Sequence, residues 1–289
     1  MIISASRRTD IPAFYSEWFI ERIKQGYACV KNPMNAKQIK TVSLKPQDVD
    51  CIVFWTKNAA PLMNKLKTLD DLGYMYYFLY TITPYEKDIE PNIADKKEII
   101  LNFIILSETI GSDRVILRYD PIIINSKYTA DFHIKYFKNL TAKLNGHTNK
   151  CIISFVDIYN KLSKQTKEII ASPINNSDMF DIASKLNKIA QDNNITLQTC
   201  CEEIDLSLLG IPHGACIDKT LIEHLSGRKS NISKAKSQRE LCNCAESVDI
   251  GAYNTCTHGC VYCYANTGMN SVIENKKKHD INSPFLIGI

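Results

Sequence analysis

The stretch Val248-Asp249-Ile250-Gly251-Ala252-Tyr253-Asn254-Thr255-Cys256-Thr257-His258-Gly259-Cys260-Val261-Tyr262-Cys263-Tyr264-Ala265 decides how the rest of the chain is read. Its first part, Val248–Asn254, has the content of a strand and runs directly into three cysteines spaced C-x3-C-x2-C. Three thiolates on so short a loop can converge on one cube of iron and sulfide, and soft thiolate ligands suit iron–sulfur clusters. Three is one fewer than a four-iron cube needs, so one iron stays open to an outside ligand, much as a catalytic zinc keeps a position that a structural zinc closes. The same thiols with His258 or another cysteine also make up a structural zinc knuckle, against the common C-x2-C zinc spacing.

Working outward, β-branched and aromatic runs recur at Ile2–Ser6, Cys51–Thr56, Tyr74–Ile82, Arg114–Tyr119, Cys151–Val156 and Ile195–Thr199, each followed by a helical pattern. That alternation predicts βαβ units and a parallel sheet, with Val248–Asn254 as its seventh strand. In the first crossover Asp10 caps a helix with Pro12 in its first turn. Ile11, Phe14, Tyr15, Trp18, Phe19 and Ile23 recur at helical spacing until Gly26 stops it. Further helices are expected over Asn92–Thr109, Phe132–Leu144 and Asp178–Gln191. No glycine-rich phosphate turn follows the first strand, so a parallel (β/α) TIM-type barrel, full or partial, is favoured over a doubly wound sheet. Residues 1–200 form this barrel in the reading, 201–246 a cysteine-containing insertion over one mouth, and 247–289 the final strand, the cysteine loop and a tail.

The spacing C-x3-C-x-aromatic-C after a barrel strand resembles the cluster loop of radical S-adenosylmethionine (SAM) enzymes. Phe54-Trp55-Thr56-Lys57, Tyr80-Thr81-Ile82-Thr83 with Glu90-Pro91, and Leu117-Arg118-Tyr119-Asp120-Pro121 are similar, in that order, to strand ends of its spore-photoproduct-lyase-like branch. The whole chain also resembles an uncharacterised domain-of-unknown-function family with the same late cysteine loop. The resemblance implies that Cys256, Cys260 and Cys263 hold a [4Fe–4S] cluster whose open iron chelates SAM. It also implies that Tyr262 lies near the adenine, and that a reducing partner such as flavodoxin or ferredoxin supplies the electron. The loop stands near the end of this chain rather than near its start. A circular permutation accounts for that, with Val248–Asn254 pairing in parallel with Ile2–Ser6.

Eleven cysteines are unusual as disulfides in a reducing compartment, and eight of them fall from Cys200 onward. Cys200, Cys216, Cys242 and Cys244 compose a second set able to close a further [4Fe–4S] cluster; buried free thiols and a zinc are the alternatives. Cys200 and Cys201 point to opposite sides of an extended chain, so one of them is the ligand, with Cys200 favoured. Barrel sites form at the carboxyl ends of strands, where the sequence places Ser4, Ser6, Arg7, Arg8, Asp10, Thr56, Lys57, Thr81, Thr83, Arg118, Asp120, Ser154, Asp157 and Glu202. Of these, Lys57 and Arg118 suit the SAM carboxylate, and Ser6 and Thr81 suit the ribose. A net charge of +4 announces no partner by itself. No apolar run approaches membrane-spanning length and no leader is evident, so a cytoplasmic location without a membrane is expected. The substrate is not named by the sequence, nucleic acid being one class open to it. A metal-stabilised nucleic-acid-binding protein and a two-cluster electron carrier are the competing functional readings.

Overall fold

The computed structural model describes residues 1–156, 174–236, 238–239 and 241–288. Its framework is a seven-stranded sheet built from β1 (Ile2–Ala5), β4 (Cys51–Thr56), β5 (Tyr76–Thr81), β6 (Val115–Ile122), β7 (Lys150–Phe155), β8 (Thr196–Thr199) and β9 (Ser247–Asp249). The spatial order is β8-β7-β6-β5-β4-β1-β9, and every neighbouring pair is parallel. The expected pairing of the late strand with the first is present, with Ile2 opposite Ser247, Ile3 opposite Val248 and Ser4 opposite Asp249.

From β1 to β8 each strand lies beside the one before it, so the crossovers wind in one direction. Right-handed crossovers wound one way put their helices on one face of the sheet. That face carries Ile3, Phe54, Phe78, Leu117 and Ile153, packed with Trp18, Phe19, Leu62, Phe103, Phe137 and Leu186 from the helices Ser16–Gln25, Ala60–Met63, Lys96–Ile110, Ala130–Leu144 and Asn176–Gln191. Alternate residues, Ile2, Val53, Tyr77, Leu79, Ile116 and Ile152, point to the other face and meet Cys216, Ile217, Ile222, Cys242 and Cys244 of the segment 201–246. The described residues of 216–245, including the short helix Lys219–Ser226, therefore lie against the face free of crossover helices, whereas Leu206 and Ile211 of the same segment pack with the core on the crossover-helix side. Tyr77 fastens the former to their face, donating its hydroxyl to the Cys216 carbonyl at 2.6 Å and accepting from the Asp218 amide at 3.1 Å.

Two expectations need correction. The sheet is not closed, because β8 and β9 are its two edges and no ladder joins them among the described residues. The late strand also stops at Asp249 rather than Asn254. There the Asp249 carboxylate takes the Gly251 amide at 3.0 Å, a local hydrogen bond that turns the chain away from the ladder. An antiparallel hairpin of β2 (Tyr27–Asn32) and β3 (Asn35–Ser43), not anticipated from the pattern, is inserted in the first crossover. The helix boundaries follow the caps: Asp10 accepts from the Ala13 amide, Gly26 is left-handed at φ 75°, and the helix expected from Asn92 starts at Lys96 because Asp95 caps it. Among the described residues no helix is long and apolar enough to cross a membrane.

Candidate metal centre

The loop after β9 is held by segments that follow β1, β4 and β5. Three carboxylates organise it, Asp10 and Glu90 buried and Asp249 partly so. Asp249 ties β9 to the end of β1, accepting from Ser4 Oγ at 3.0 Å, Ser6 Oγ at 2.6 Å and the Arg7 amide at 2.8 Å. Asp10 gathers Thr56 Oγ1, the Lys57 amide and His258 Nε2, each at 2.8 Å. Glu90 accepts from Lys57 Nζ at 2.7 Å, Lys96 Nζ at 2.6 Å, Thr83 Oγ1 at 2.7 Å and the Tyr262 hydroxyl. Backbone contacts complete the frame, with the Val261 amide on the Ile89 carbonyl at 3.0 Å and Asn92 Nδ2 on the Thr257 carbonyl at 2.9 Å. Gly259 turns the loop at φ 72°, where a Cβ would press on Asn92 and Pro91.

Cys256, Cys260 and Cys263 stand on this frame, each partly accessible and none in a disulfide. Cys256 lies within charge range of Cys260 and Cys263, and burial pushes its thiol well up. Burial likewise raises Cys260 to about 12, against the pull of the Lys57 ammonium. Loss of those protons to a metal reverses this cost, so the donor chemistry fits a cation or cluster that binds thiolate.

The expected cofactor-binding side chains are all at this end of the sheet. Tyr262 packs edge-on to Tyr85 with ring centres 6.2 Å apart, and Lys57 Nζ stands 5.7 Å from the centre of the Tyr262 ring. The charge of Lys57 is met by Glu90, and that of Arg118 by Asp120. The Ser6 hydroxyl is engaged with Asp249, and Thr81 is half-buried at the end of β5 opposite Arg118. Arg118 lies on the face free of crossover helices, 4.9 Å from the centre of Trp55, which Arg7 approaches at 5.6 Å. Ser154 donates to Asp120 and Glu202 accepts from the Phe155 amide at 2.9 Å, whereas Asp157 lies outside the described residues. Glu90 and Asp249 had no sequence signal as organisers. An isolated acid gives no sign of burial until its cations, distant in sequence, are placed around it.

The second cysteine set also comes together. Cys200 Sγ and Cys216 Sγ are 3.3 Å apart, and Cys216, Cys242 and Cys244 are buried in one cluster. The Cys216 hydrogen bond is the main influence holding Cys200 down to about 6, with Arg118 adding to it against burial. The neighbouring Cys216 and Cys242 thiols hold Cys244 well below the usual thiol range and are themselves pushed up in turn. Of the adjacent pair, Cys200 is the one in contact with Cys216; Cys201 has left-handed backbone at φ 58°. Among the described residues, as they stand, no group of three or more His, Cys, Asp or Glu side chains is arranged so that it could hold a metal ion.

Fold and site together define an α/β protein with a one-way-wound parallel sheet and two cysteine groups, one at the carboxyl ends of the strands and one against the face free of crossover helices. The chain belongs to the family described as domain of unknown function (DUF1848), whose model matches residues 2–265. A comparison with curated proteins found no match. Among solved structures, a candidate alpha-L-fucosidase from Bacteroides thetaiotaomicron VPI-5482 is similar at 11% identity, over 56% of this chain and 68% of that one, with a TM-score of 0.27. So low a score carries no argument about this protein.

Proposed function

We propose that the protein is a radical SAM enzyme in which Cys256, Cys260 and Cys263 hold a [4Fe–4S] cluster with one open iron. The observation that carries this reading is the parallel pairing of β9 with β1. It brings a three-cysteine loop to the carboxyl ends of a parallel sheet, the end where α/β enzymes build their sites. On this reading the open, one-way-wound sheet is a partial barrel entered by circular permutation, with its strands in the order a permuted chain requires. The cysteines have no disulfide partners, in keeping with a reducing, cytoplasmic setting.

The cluster and SAM, when bound, supply one-electron reductive cleavage of SAM to a 5′-deoxyadenosyl radical. The chain's own residues hold, orient and exclude water. Glu90 fixes the Tyr262 hydroxyl and so the ring assigned to the adenine, while Lys57 and Lys96 keep that carboxylate charged in a buried place. Asp10 fixes His258 within the loop and the Lys57 amide beside it. Lys57 and Arg118 are assigned to the SAM carboxylate, and Ser6 and Thr81 to the ribose, by resemblance. A flavodoxin or ferredoxin is the reductant class this chemistry calls for.

Anaerobic reconstitution with iron and sulfide, followed by reduction in the presence of SAM, tests the reading directly by the appearance of 5′-deoxyadenosine. Neither an electron carrier nor a nucleic-acid-binding protein makes it. Cys256→Ala, Cys260→Ala and Cys263→Ala are each expected to abolish it, because the loop holds no spare thiol. Retained cleavage in any one of them would sink the assignment.

A further inference from the structure

We propose that Cys200, Cys216, Cys242 and Cys244 form a closed site for a single thiophilic divalent cation, zinc being the expected one, which pins residues 216–245 to the face of the sheet free of crossover helices. The proposal does not depend on the reading of the Cys256–Cys263 loop.

Spacing separates one ion from a cube. Four thiolates around one zinc stand at the corners of a tetrahedron whose edge is about 3.8 Å, from a Zn–S bond of about 2.3 Å. A four-iron cube instead places its four cysteine sulfurs on separate iron corners, well beyond contact with one another. Here Cys200 and Cys216 are 3.3 Å apart, and Cys216, Cys242 and Cys244 lie buried in one cluster against which Cys200 packs, so an ion has only to draw the four thiols around itself.

The surroundings suit the charge of such a centre. Four thiolates and one divalent cation carry a net charge of about −2, which needs cations and N–H donors around it. Arg118 acts on Cys216, Cys200 and Cys244, Arg239 acts on Cys200, and Arg7 acts on Cys244. Arg7 Nε and Arg118 Nε are buried without a hydrogen-bond partner among the described residues, so each keeps a donor for an acceptor that those residues do not supply. The Ile217 amide already donates to Cys244 Sγ at 3.4 Å. The four residues come from the end of β8 and two separate points of the segment 201–246, which has little regular structure of its own. A crosslink at that place is what such a segment lacks.

The test uses the full chain carrying Cys256→Ala, Cys260→Ala and Cys263→Ala, so that only the second set can hold metal. Supplied with zinc, it is expected to keep about one zinc per chain through dialysis against a chelator. Cobalt in its place should give the intense visible bands of a tetrahedral tetrathiolate site. Adding Cys216→Ser should remove both signals, and Cys201→Ser should leave them. If Cys216→Ser does not fold, the cobalt spectrum of the parent variant still decides. Anaerobic supply of iron and sulfide is the opposing arm: uptake of about four irons with a cluster chromophore would overturn the single-ion site in favour of a cube. Retention of no metal in either arm would overturn it in favour of plain buried thiols.

Discussion

Glu90 is 1% exposed and accepts hydrogen bonds from two ammonium groups, a threonine and Tyr262. Burial pushes its carboxyl up, but the charges and hydrogen bonds of Lys57 and Lys96 pull it down further, so it is held well below the usual carboxylate range. Glu90→Gln keeps the shape and leaves two lysines facing a neutral amide. Breaking a buried ion pair on one side costs about 3–5 kcal/mol, and urea denaturation at pH 7 is expected to show a loss of that size; a loss below ~1 kcal/mol would mean the lysines find water instead. His133 offers a pH-dependent case. It is fully buried, joined through Nδ1 to the Tyr119 hydroxyl at 2.8 Å and through Nε2 to the Ile123 carbonyl at 2.9 Å. Burial outweighs the Ile123 hydrogen bond and holds it down to about 4. A histidine depressed in the folded state binds fewer protons there than in the unfolded chain, so its contribution is complete above about pH 6.5 and is lost as pH falls toward 4. The loss reaches ~3 kcal/mol at the lower limit. Unfolding free energies of the parent and His133→Gln, compared at pH 5 and 7, should converge at the lower pH; parallel profiles would rule this origin out. At this scale the sequence showed the cysteines, whose spacing carries their chemistry. It marked Glu90 only as part of a resembling segment and not as an organiser of the loop, because that role depends on cations brought in by other parts of the chain.

The elements were legible where a periodic apolar pattern met a cap. Asp10 and Gly26 bound the first helical stretch as expected, and β4 runs over the expected Cys51–Thr56. The boundary of β9 was not legible, because Ile250, Ala252 and Tyr253 continue a strand-like pattern past the last paired residue, Asp249, after which the Ile250 amide still reaches the Ser4 carbonyl at 3.1 Å. What ends the strand is a side chain, Asp249, whose carboxylate serves Ser4, Ser6, Arg7 and Gly251 together. The hairpin of β2 and β3 was hidden for a different reason. Most of β3 is exposed, so it lacks the buried alternation that marks a strand. Gly251 makes the β9 junction testable. A Cβ there would stand 2.1 Å from Ser6 Oγ and 2.6 Å from Ser6 Cβ, so Gly251→Ala must displace the end of β1 or the entry to the cysteine loop. Overpacking of this kind costs about 1–3 kcal/mol. The expected result is that loss in denaturation together with reduced iron uptake by the loop, whereas Gly73→Ala, strained by its φ of 76° but with no atom within 4 Å of the added Cβ and far from the loop in sequence, should lose stability yet leave uptake unchanged. Equal uptake in both variants would show that the loop tolerates the shift.

At the scale of the molecule, six strands wind one way from β1 to β8, and the seventh returns from the far end of the chain to the opposite side of β1. The sequence showed this topology through strand–helix alternation and the odd position of the cysteine loop. It did not show closure, because whether two edge strands meet depends on sheet curvature and strand length, which a hydrophobic pattern does not report. An open edge has a dynamic consequence. β9 is three residues long and is paired on one side only, while β4 and β5 are buried between neighbours on both sides. Edge elements with few ladder bonds open at lower free energy than the global transition, so β9 and the loop behind it should form a separate, weaker unit. In hydrogen exchange read by mass spectrometry, peptides covering 247–265 are expected to exchange earlier than those covering 51–56 and 76–81. Asp249→Asn loses the charge that serves two hydroxyls and two amides at the junction, and it should speed exchange in 247–265 while leaving β4 and β5 unchanged. If all three regions exchanged together in both proteins, β9 would be part of the global unit, and the loop would be held by the Asp10 and Glu90 contacts rather than by its strand.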